Sequence, residues 1–504
     1  FYLRVEAVNL SHFIANTHDL STIRGGNLLL LEAMDRVETL ILKKPTQTAI
    51  KLAYLVNQVN AINALQTPTQ TEKNKKKNLK EQIKKLKDAL QNERTPTITK
   101  GASWGLFLLY MTATDASELH QEVINDFKTD ARYQHATFVV DLHPDNGDYK
   151  KDRDSVEALN HWQQLQSPSL AIRNTGIACC SIDKLRPADS NKWLKDQQQD
   201  YVSESVGQRR DYGRKQKHQF YKNITGINAK FTQDFGDLSR ATHQGILADK
   251  IAVLYIDGNN FGKIQKSSDT AEKQKQFDQN TRAGREKVLT QILEKIRHEP
   301  DWLTGDDEVR LETLLWGGDE IMWVVPAWQG WFLANEFFIQ AKQHITHNNA
   351  TLTHAAGLVF CHHDAPIHRI QSLAKSLADL AKANRNENLL AYQILESFDH
   401  VGTALEAYRQ KRLGTLGQLP QLLVNAKDMT AIQTAMTQLK NDDDFAKRKI
   451  YQILQAYQDN PQKAGQYLDK LPPSSAEPLK NLQDIFGGEN THWLHLMDLW
   501  DYIG

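Results

Sequence analysis

The sequence predicts an α+β protein of several domains, on three observations. At 504 residues the chain exceeds the roughly 250–300 residues at which a single core stops growing. Leu314-Leu315-Trp316-Gly317-Gly318-Asp319-Glu320-Ile321-Met322-Trp323-Val324-Val325 reads as an apolar strand, a tight turn and a second apolar strand, and paired glycines between such runs signal a hairpin. Ile251 to Ile256 is a continuous apolar run, as in a strand buried on both faces, and it ends at Asp257-Gly258-Asn259-Asn260-Phe261-Gly262. A helical pattern, roughly Thr281 to Ile296, lies between the two.

The acids decide the chemistry. Adjacent carboxylates such as Asp319 and Glu320 repel unless a cation sits between them, and hard divalent ions bind carboxylate oxygens while keeping phosphate as a further ligand. On the hairpin alone, a solvated acidic turn is the simpler account. Asp257 changes that, because it places a carboxylate at a strand end, followed by a glycine and two turn-forming asparagines suited to exposed backbone amides. Strand, helix and acid-tipped hairpin form the layout of a palm. Two carboxylate positions on adjacent strands can hold the two metals of an in-line phosphoryl transfer.

Asp257-Gly258-Asn259 and Gly317-Gly318-Asp319-Glu320 resemble the corresponding motifs of GGDEF and GGDD palm domains. Ala355-Ala356-Gly357-Leu358-Val359-Phe360, then Pro366-Ile367, then a helix Ile370 to Lys382 continue the likeness. In that order the chain resembles the large, polymerase-like subunit of type III CRISPR effector complexes, the Cas ten family, with its specific motifs between about 250 and 400. The resemblance implies two ferredoxin-like palm domains of the GGDEF/cyclase type, with helical intervening and C-terminal domains. It implies a cyclic oligonucleotide synthase that converts ATP into cyclic oligoadenylate. Its partners would be the other effector subunits, guide RNA and target RNA. The family signature ends in two aspartates. Here it is Asp319-Glu320, closer to diguanylate cyclases, which leaves nucleotide choice open.

On that reading Asp257, Asp319 and Glu320 are the metal and catalytic ligands of Mg²⁺ or Mn²⁺. Gly258, Asn259, Asn260, Phe261, Gly317 and Gly318 lie along the phosphates. Lys375 and Lys382, seven apart on one helix face, contact triphosphate oxygens or form salt bridges with solvent-facing acids. His362-His363-Asp364 is expected to be structural, since adjacent side chains diverge on a regular element and the run reads as a loop.

The expected boundaries are 1–150, 151–245, 246–400 and 401–504. Region 1–150 reads as a first palm without metal ligands, carrying a lysine-rich helical insertion over 68–98. Laying Val5 to Ile14 on Tyr255 to Ile264 puts Ala7 on Asp257 and Asn9 on Asn259, and the Trp104-Gly105 turn falls on Gly317-Gly318. The helix Ile23 to Leu40 is interrupted in its first turn by Arg24-Gly25-Gly26, where glycine costs about 1 kcal/mol relative to alanine. These three are assigned to a nucleotide-facing loop, or to a tight packing contact. Helix 72–90, beginning Glu72-Lys73-Asn74-Lys75-Lys76-Lys77, is a solvated insertion or a nucleic-acid contact.

In 151–245, Cys179-Cys180 before Arg186-Pro187-Ala188 resembles the position of a small zinc ribbon in the family. Without a second pair it cannot make a Cys₄ site. Arg209-Arg210, Arg214-Lys215 and Lys217 among Tyr212 and Phe220 read as an exposed linker helix or a single-strand nucleic-acid surface. The tail is helical, with Trp493, Leu494, Met497 and Trp500 as core.

Composition sets the remaining bounds. Sixty-one basic and sixty-one acidic residues cancel, so total charge predicts no nucleic-acid partner. Three cysteines, Cys179, Cys180 and Cys361, make no disulfide framework and suit a reducing cytoplasm. No apolar run approaches the 18 or more residues of a membrane span, and no signal peptide is evident. The chain opens on Phe1 and shows no upstream His-Asp nuclease domain, and a truncated start is left open. Two further function classes stay open: a signal synthase that works without guide RNA, and an inactive RNA-anchoring scaffold.

Overall fold

The structure is a computed structural model. It describes residues 1–14, 17–65, 67, 69–93, 95–133, 135–165, 178–188, 190–193, 199–396, 405–414, 418–459, 461–487 and 490–503. The chain packs as two interleaved units. The first comprises residues 1–17, 25–212 and 262–279, and the second 18–24, 213–261 and 280–504. The four stretches expected from sequence are contiguous.

In the first unit, β1 (Tyr2–Val8), β2 (Thr97–Lys100), β3 (Trp104–Leu108) and β4 (Thr137–His143) form one sheet in the order β2-β3-β1-β4. The helix Leu20–Lys43 follows β1, and Ala113–Thr129 joins β3 to β4. This is the βαββαβ layout of a ferredoxin-like palm. Its core gathers Leu3, Val5, Leu30, Met34, Phe107 and Leu119, which recur at strand and helix spacing.

The insertion is a helical hairpin, Gln47–Asn63 and Gln70–Glu93, closed by Leu55, Val59 and Leu79 with Ile62, Ile83 and Leu86. Thr69 and Glu72 cap the second helix reciprocally: the Thr69 N–H donates to Glu72 at 2.6 Å and the Glu72 N–H to Thr69 Oγ1 at 3.3 Å. Lys73, Lys77, Lys80, Lys84 and Lys87 are exposed.

The second unit repeats the topology. β5 (Lys250–Gly258), β6 (Glu312–Trp316), β7 (Glu320–Pro326) and β8 (His354–His362) take the order β6-β7-β5-β8. The sheet continues with β9 (Leu389–Ile394), parallel to β8, and β10 (Leu423–Asn425). Strands β5 and β8 are buried almost throughout, which explains their unbroken apolar reading. Gly357 is required where the helix Ile367–Ala381 crosses β8: a Cβ there would lie 1.9 Å from the Ala374 carbonyl oxygen.

The tail helices Met429–Lys440, Lys447–Asp459, Pro461–Leu468, Ala476–Phe486 and Thr491–Leu499 pack on one another, and the last of them meets this sheet. Tyr392 OH and His495 Nδ1 are 2.8 Å apart, and the Phe360 and Tyr502 rings are 4.5 Å apart. Trp493, Leu494 and Trp500 are buried as expected, with Met497 half-buried.

The repeat corrects the sequence register, by one residue in β1 and by three at the hairpin turn. In the first palm, Gly101 N–H donates to the Trp104 carbonyl and Ala7 N–H to the Ser103 carbonyl. In the second, Gly317 N–H donates to the Glu320 carbonyl and Gly258 N–H to the Asp319 carbonyl. Gly101-Ala102-Ser103-Trp104, and not Trp104-Gly105, therefore corresponds to Gly317-Gly318-Asp319-Glu320. The strand pairs agree, because Glu6 faces Trp104 as Asp257 faces Glu320. Asn9 and Asn260 both take left-handed backbone, with φ of 56° and 62°. Glu6, rather than Ala7, thus occupies the position of Asp257, and Arg4 Nη2 binds it at 2.8 Å. Ser103 and Trp104 replace the other two acids.

Two basic stretches also differ from expectation. Arg24, Gly25 and Gly26 lie within the helix Leu20–Lys43, not in a loop. Arg24 is 1% exposed and meets Glu312 through Nη2 at 2.6 Å and Nε at 2.8 Å. Lys217 Nζ lies 2.7 Å from the same carboxylate. Gly26 fits against Ile14, 3.3 Å from where its Cβ would be, so packing explains it. The helix Glu204–Thr225 turns Arg209, Arg210 and Lys217 inward, so these residues form neither an exposed linker face nor an open nucleic-acid surface. Arg214 and Lys215 are exposed. Cys180 is buried and Cys179 exposed, beside a bridge between Cys179 and Pro187.

Candidate active site

Three carboxylates stand at one end of the second palm's sheet, spaced more widely than 4.8 Å as a set. Asp257 is the penultimate residue of β5, and its direct cross-strand partner is Glu320, the first residue of β7. Asp319 precedes Glu320 in a turn closed by reciprocal bonds, Gly317 N–H to Glu320 O at 3.0 Å and Glu320 N–H to Gly317 O at 3.1 Å. The Gly258 N–H donates to the Asp319 carbonyl at 3.2 Å, tying strand end to hairpin tip. The Arg285 guanidinium donates to the Gly317 carbonyl and lies over the Trp316 ring, 5.4 Å from its centroid.

The electrostatics follow from this crowding. Burial, then the charges of Asp257 and Glu320, push the Asp319 carboxyl up to about 6. Burial also raises Asp257, against the pull of Lys382. Lys382 Nζ stands 2.6 Å from Asp257 Oδ2 and 3.0 Å from Asp379 Oδ1. The Tyr255 hydroxyl donates to Glu320 Oε1 and stands 3.5 Å from Asp257 Oδ2. Burial and these carboxylates drive the Tyr255 phenol well above its usual range, so it is a neutral donor. Lys375 Nζ lies 5.2 Å from the centroid of the Tyr255 ring.

The donor set suits a hard divalent cation. Asp319 makes no ion pair among the described residues, and its titration is raised first by burial and then by the charges of Asp257 and Glu320, with only a weaker opposing pull from Arg285. Carboxylate oxygens are the ligands Mg²⁺ and Mn²⁺ take.

Several residues assigned to the phosphates do other work. Asn259 is 3% exposed. Its N–H donates to the Thr353 carbonyl at 2.8 Å, and its Nδ2 to Thr353 Oγ1 at 3.2 Å and to the Glu387 carbonyl at 3.1 Å. Phe261 is buried and packs edge-on against His354, centroids 5.5 Å apart. Its ring lies 2.5 Å from where a Gly258 Cβ would stand, which is why position 258 is glycine. The Gly258 amide is spent on Asp319. Asn260 supplies the left-handed step into the helix Phe261–Ser267. Tyr255 and Arg285 were not assigned to the site from the sequence. Tyr255 had a signal, since residues two apart on a strand share a face.

Comparison with known proteins agrees with this fold. Residues 250–391 match the family model Cas10/Cmr2, second palm domain. No curated protein matches the sequence. The fold is similar to the crystal structure of a Csm1–Csm4 cassette in complex with AMPPNP, at TM-score 0.52 and 10% identity, over 100% of this chain and 69% of that one. It is similar to a Csm1–Csm4 cassette in complex with one ATP, at TM-score 0.51 and 10% identity, over 98% and 68%. Csm1 in T.onnurineus aligns at TM-score 0.48 and 10% identity, over 99% and 68%. At these identities the structural likeness is one of fold. Among the described residues no helix is long and apolar enough to cross a membrane. Over residues 250–391 the chain thus carries a domain that matches the second palm of the Cas10/Cmr2 family.

Proposed function

We propose that the chain is a divalent-metal-dependent nucleotidyltransferase that joins ATP into cyclic oligoadenylate as a subunit of a type III CRISPR effector. The observation that carries this reading is the position of Asp257, Asp319 and Glu320 at one end of a palm sheet, with the Asp319 carboxyl pushed up to about 6. Such crowded charge calls for a cation. The adenosine nucleotides bound to the similar Csm1–Csm4 cassettes support ATP as substrate, and the cassettes support a Csm4-type subunit as a partner. Guide and target RNA are the further partners of this reading.

In this mechanism Asp257 and Asp319 hold Mg²⁺ or Mn²⁺. When bound, the ions neutralise triphosphate charge and favour ionisation of the attacking hydroxyl. Glu320 is the further ligand or positions that hydroxyl, and the Tyr255 hydroxyl fixes its orientation. Tyr255 also supports the side chain that replaces the family's second aspartate, which is one methylene longer. Lys382 balances Asp257 in the resting protein and transfers to triphosphate oxygens when nucleotide arrives. Lys375, exposed on the same helix, makes a second phosphate contact. The first palm, with Glu6 tied to Arg4 and Ser103 and Trp104 at the hairpin tip, plays a supporting role without metal.

The test is mass spectrometry of products from ATP, and from mixed nucleotides, in Mg²⁺ or Mn²⁺, with and without target-bound guide complex. The reading predicts cyclic oligoadenylate that disappears in Asp319→Ala. Product without the complex would indicate a synthase independent of RNA. No product under any condition, with RNA binding intact, would make the chain a scaffold.

A further inference from the structure

The end of β8 holds a second cluster, and it differs from the sequence expectation. His362-His363-Asp364 was expected to be a structural loop. His362 closes β8, His363 and Asp364 form the turn after it, and one ligand atom from each lies within 4.8 Å of the other two. Among the described residues this is the one group of three His, Cys, Asp or Glu that does so.

Hydrogen bonding sets which atoms converge. The Asp249 carbonyl accepts from the His363 backbone N–H at 2.9 Å and stands 2.9 Å from His363 Nδ1. A carbonyl only accepts, so Nδ1 carries the proton and Nε2 presents a lone pair. That Nε2 faces Asp364 Oδ1 at 3.2 Å. His362 Nδ1 accepts from the Asp364 backbone N–H at 3.3 Å, so it too presents a lone pair, and it stands 3.6 Å from Asp364 Oδ2. Acceptors of both imidazoles therefore face the two oxygens of one carboxylate. Such a group needs a cation, either a proton on imidazole or a metal. The Asp249 bond is the feature that favours metal, because metal-binding histidines donate their other ring nitrogen to a carbonyl or carboxylate, which fixes tautomer and ring orientation.

We infer that His362, His363 and Asp364 bind one borderline divalent transition-metal ion of the zinc and nickel class, with water completing its coordination. Imidazole selects this class over Mg²⁺. His362 exchanges its long contact with the Asp364 N–H for the ion. The site is separate from the carboxylates: His362 pairs with Lys250, whereas Ala355 pairs with Asp257. The seven residue steps from Ala355 to His362 span about 23 Å at roughly 3.3 Å each. The ion clips the turn to Asp249 just ahead of the helix Ile367–Ala381, the helix that presents Lys375 and leads to Lys382. It stabilises the native chain by mass action.

The test uses the full chain without a polyhistidine tag, titrated with Zn²⁺ by calorimetry and with Co²⁺ by visible absorption. The chains are wild type, His362→Ala, Asp364→Asn and Asp319→Asn, each melted first in chelator. His362 and Asp364 are exposed, so their variants should melt as wild type does. The expected result is one equivalent bound by wild type and by Asp319→Asn, a raised melting temperature with metal, and at least a tenfold loss of affinity in both turn variants. Binding only at millimolar ion, binding unchanged in the turn variants, or binding lost in Asp319→Asn overturns the assignment. The His363–Asp364 contact is then a protonated ion pair.

Discussion

Lys382 Nζ lies 2.6 Å from Asp257 Oδ2, so an ammonium holds the carboxylate that the mechanism gives to a metal ion. The pair makes nucleotide arrival an exchange of partners. Lys382→Met is expected to raise the KM for ATP about tenfold, equal to about 1.4 kcal/mol of binding. Steady-state kinetics with ATP checks this. A fall in kcat with unchanged KM would place Lys382 in the chemical step instead.

The Asp319 titration sets a pH dependence. Its folded value is raised from 3.8 to about 6, so between those values the native chain binds more protons than the unfolded one. Stability from this group is therefore full below about 3.8 and is lost as pH rises through about 6. Asp319→Asn removes that penalty. In chelator at pH 7.5 the variant should be more stable than wild type, on the order of 1–3 kcal/mol, and the gain should vanish near pH 4. Paired melts at the two pH values measure it. Divalent-ion affinity of wild type should run the other way, rising with pH through about 6 as the carboxylate frees its proton.

Glu312 is 1% exposed and binds two buried cations, Arg24 and Lys217. Glu312→Gln leaves both without a counter-charge. Breaking a buried pair by removing one partner costs about 3–5 kcal/mol, and urea unfolding should show a loss of that size. A loss under about 1 kcal/mol would mean that water or a shift of the helices relieves the charges.

Gly357 has no room for a methyl group, because the nearest atoms are backbone, Ala374 O at 1.9 Å and Ala378 N at 2.8 Å from the Cβ position. Gly357→Ala should cost about 1–3 kcal/mol as an overpacking change, and should also cut activity by displacing the helix that leads to Lys382. Gly262→Ala, whose Cβ meets nothing within 4 Å, is the control and should melt within about 1 kcal/mol of wild type. Equal melting temperatures for the two variants would contradict the packing account.

The sheets were legible in the sequence because their strands are buried on both faces and read as unbroken apolar runs, as in Ile251 to Ile256. The acids at Asp257, Asp319 and Glu320 were legible because a strand end and a hairpin tip are local features. Register was not: Ala7 was aligned where Glu6 belongs, since a one-residue slip turns every side chain to the other face and only the bond from Ala7 N–H to the Ser103 carbonyl fixes it. Arg24 read as part of a nucleotide-facing loop or a packing contact, and Lys217 as an exposed or nucleic-acid-binding cation, because their partner, Glu312, is remote in sequence. Asn259 and Phe261 read as ligand contacts because a turn beside an acid resembles a phosphate loop. The inward aim of both follows from Thr353, Glu387 and His354, which no local pattern reveals. Tyr255 read only as one more strand residue.

The most direct measurement is anomalous diffraction from crystals grown with Mn²⁺ and AMPPNP. The account predicts manganese peaks about 2.1 Å from Asp257 and Asp319 oxygens, shared with the triphosphate, with Lys382 moved from Asp257 to phosphate. Bound nucleotide with no metal on these carboxylates, and Lys382 still paired to Asp257, would contradict it.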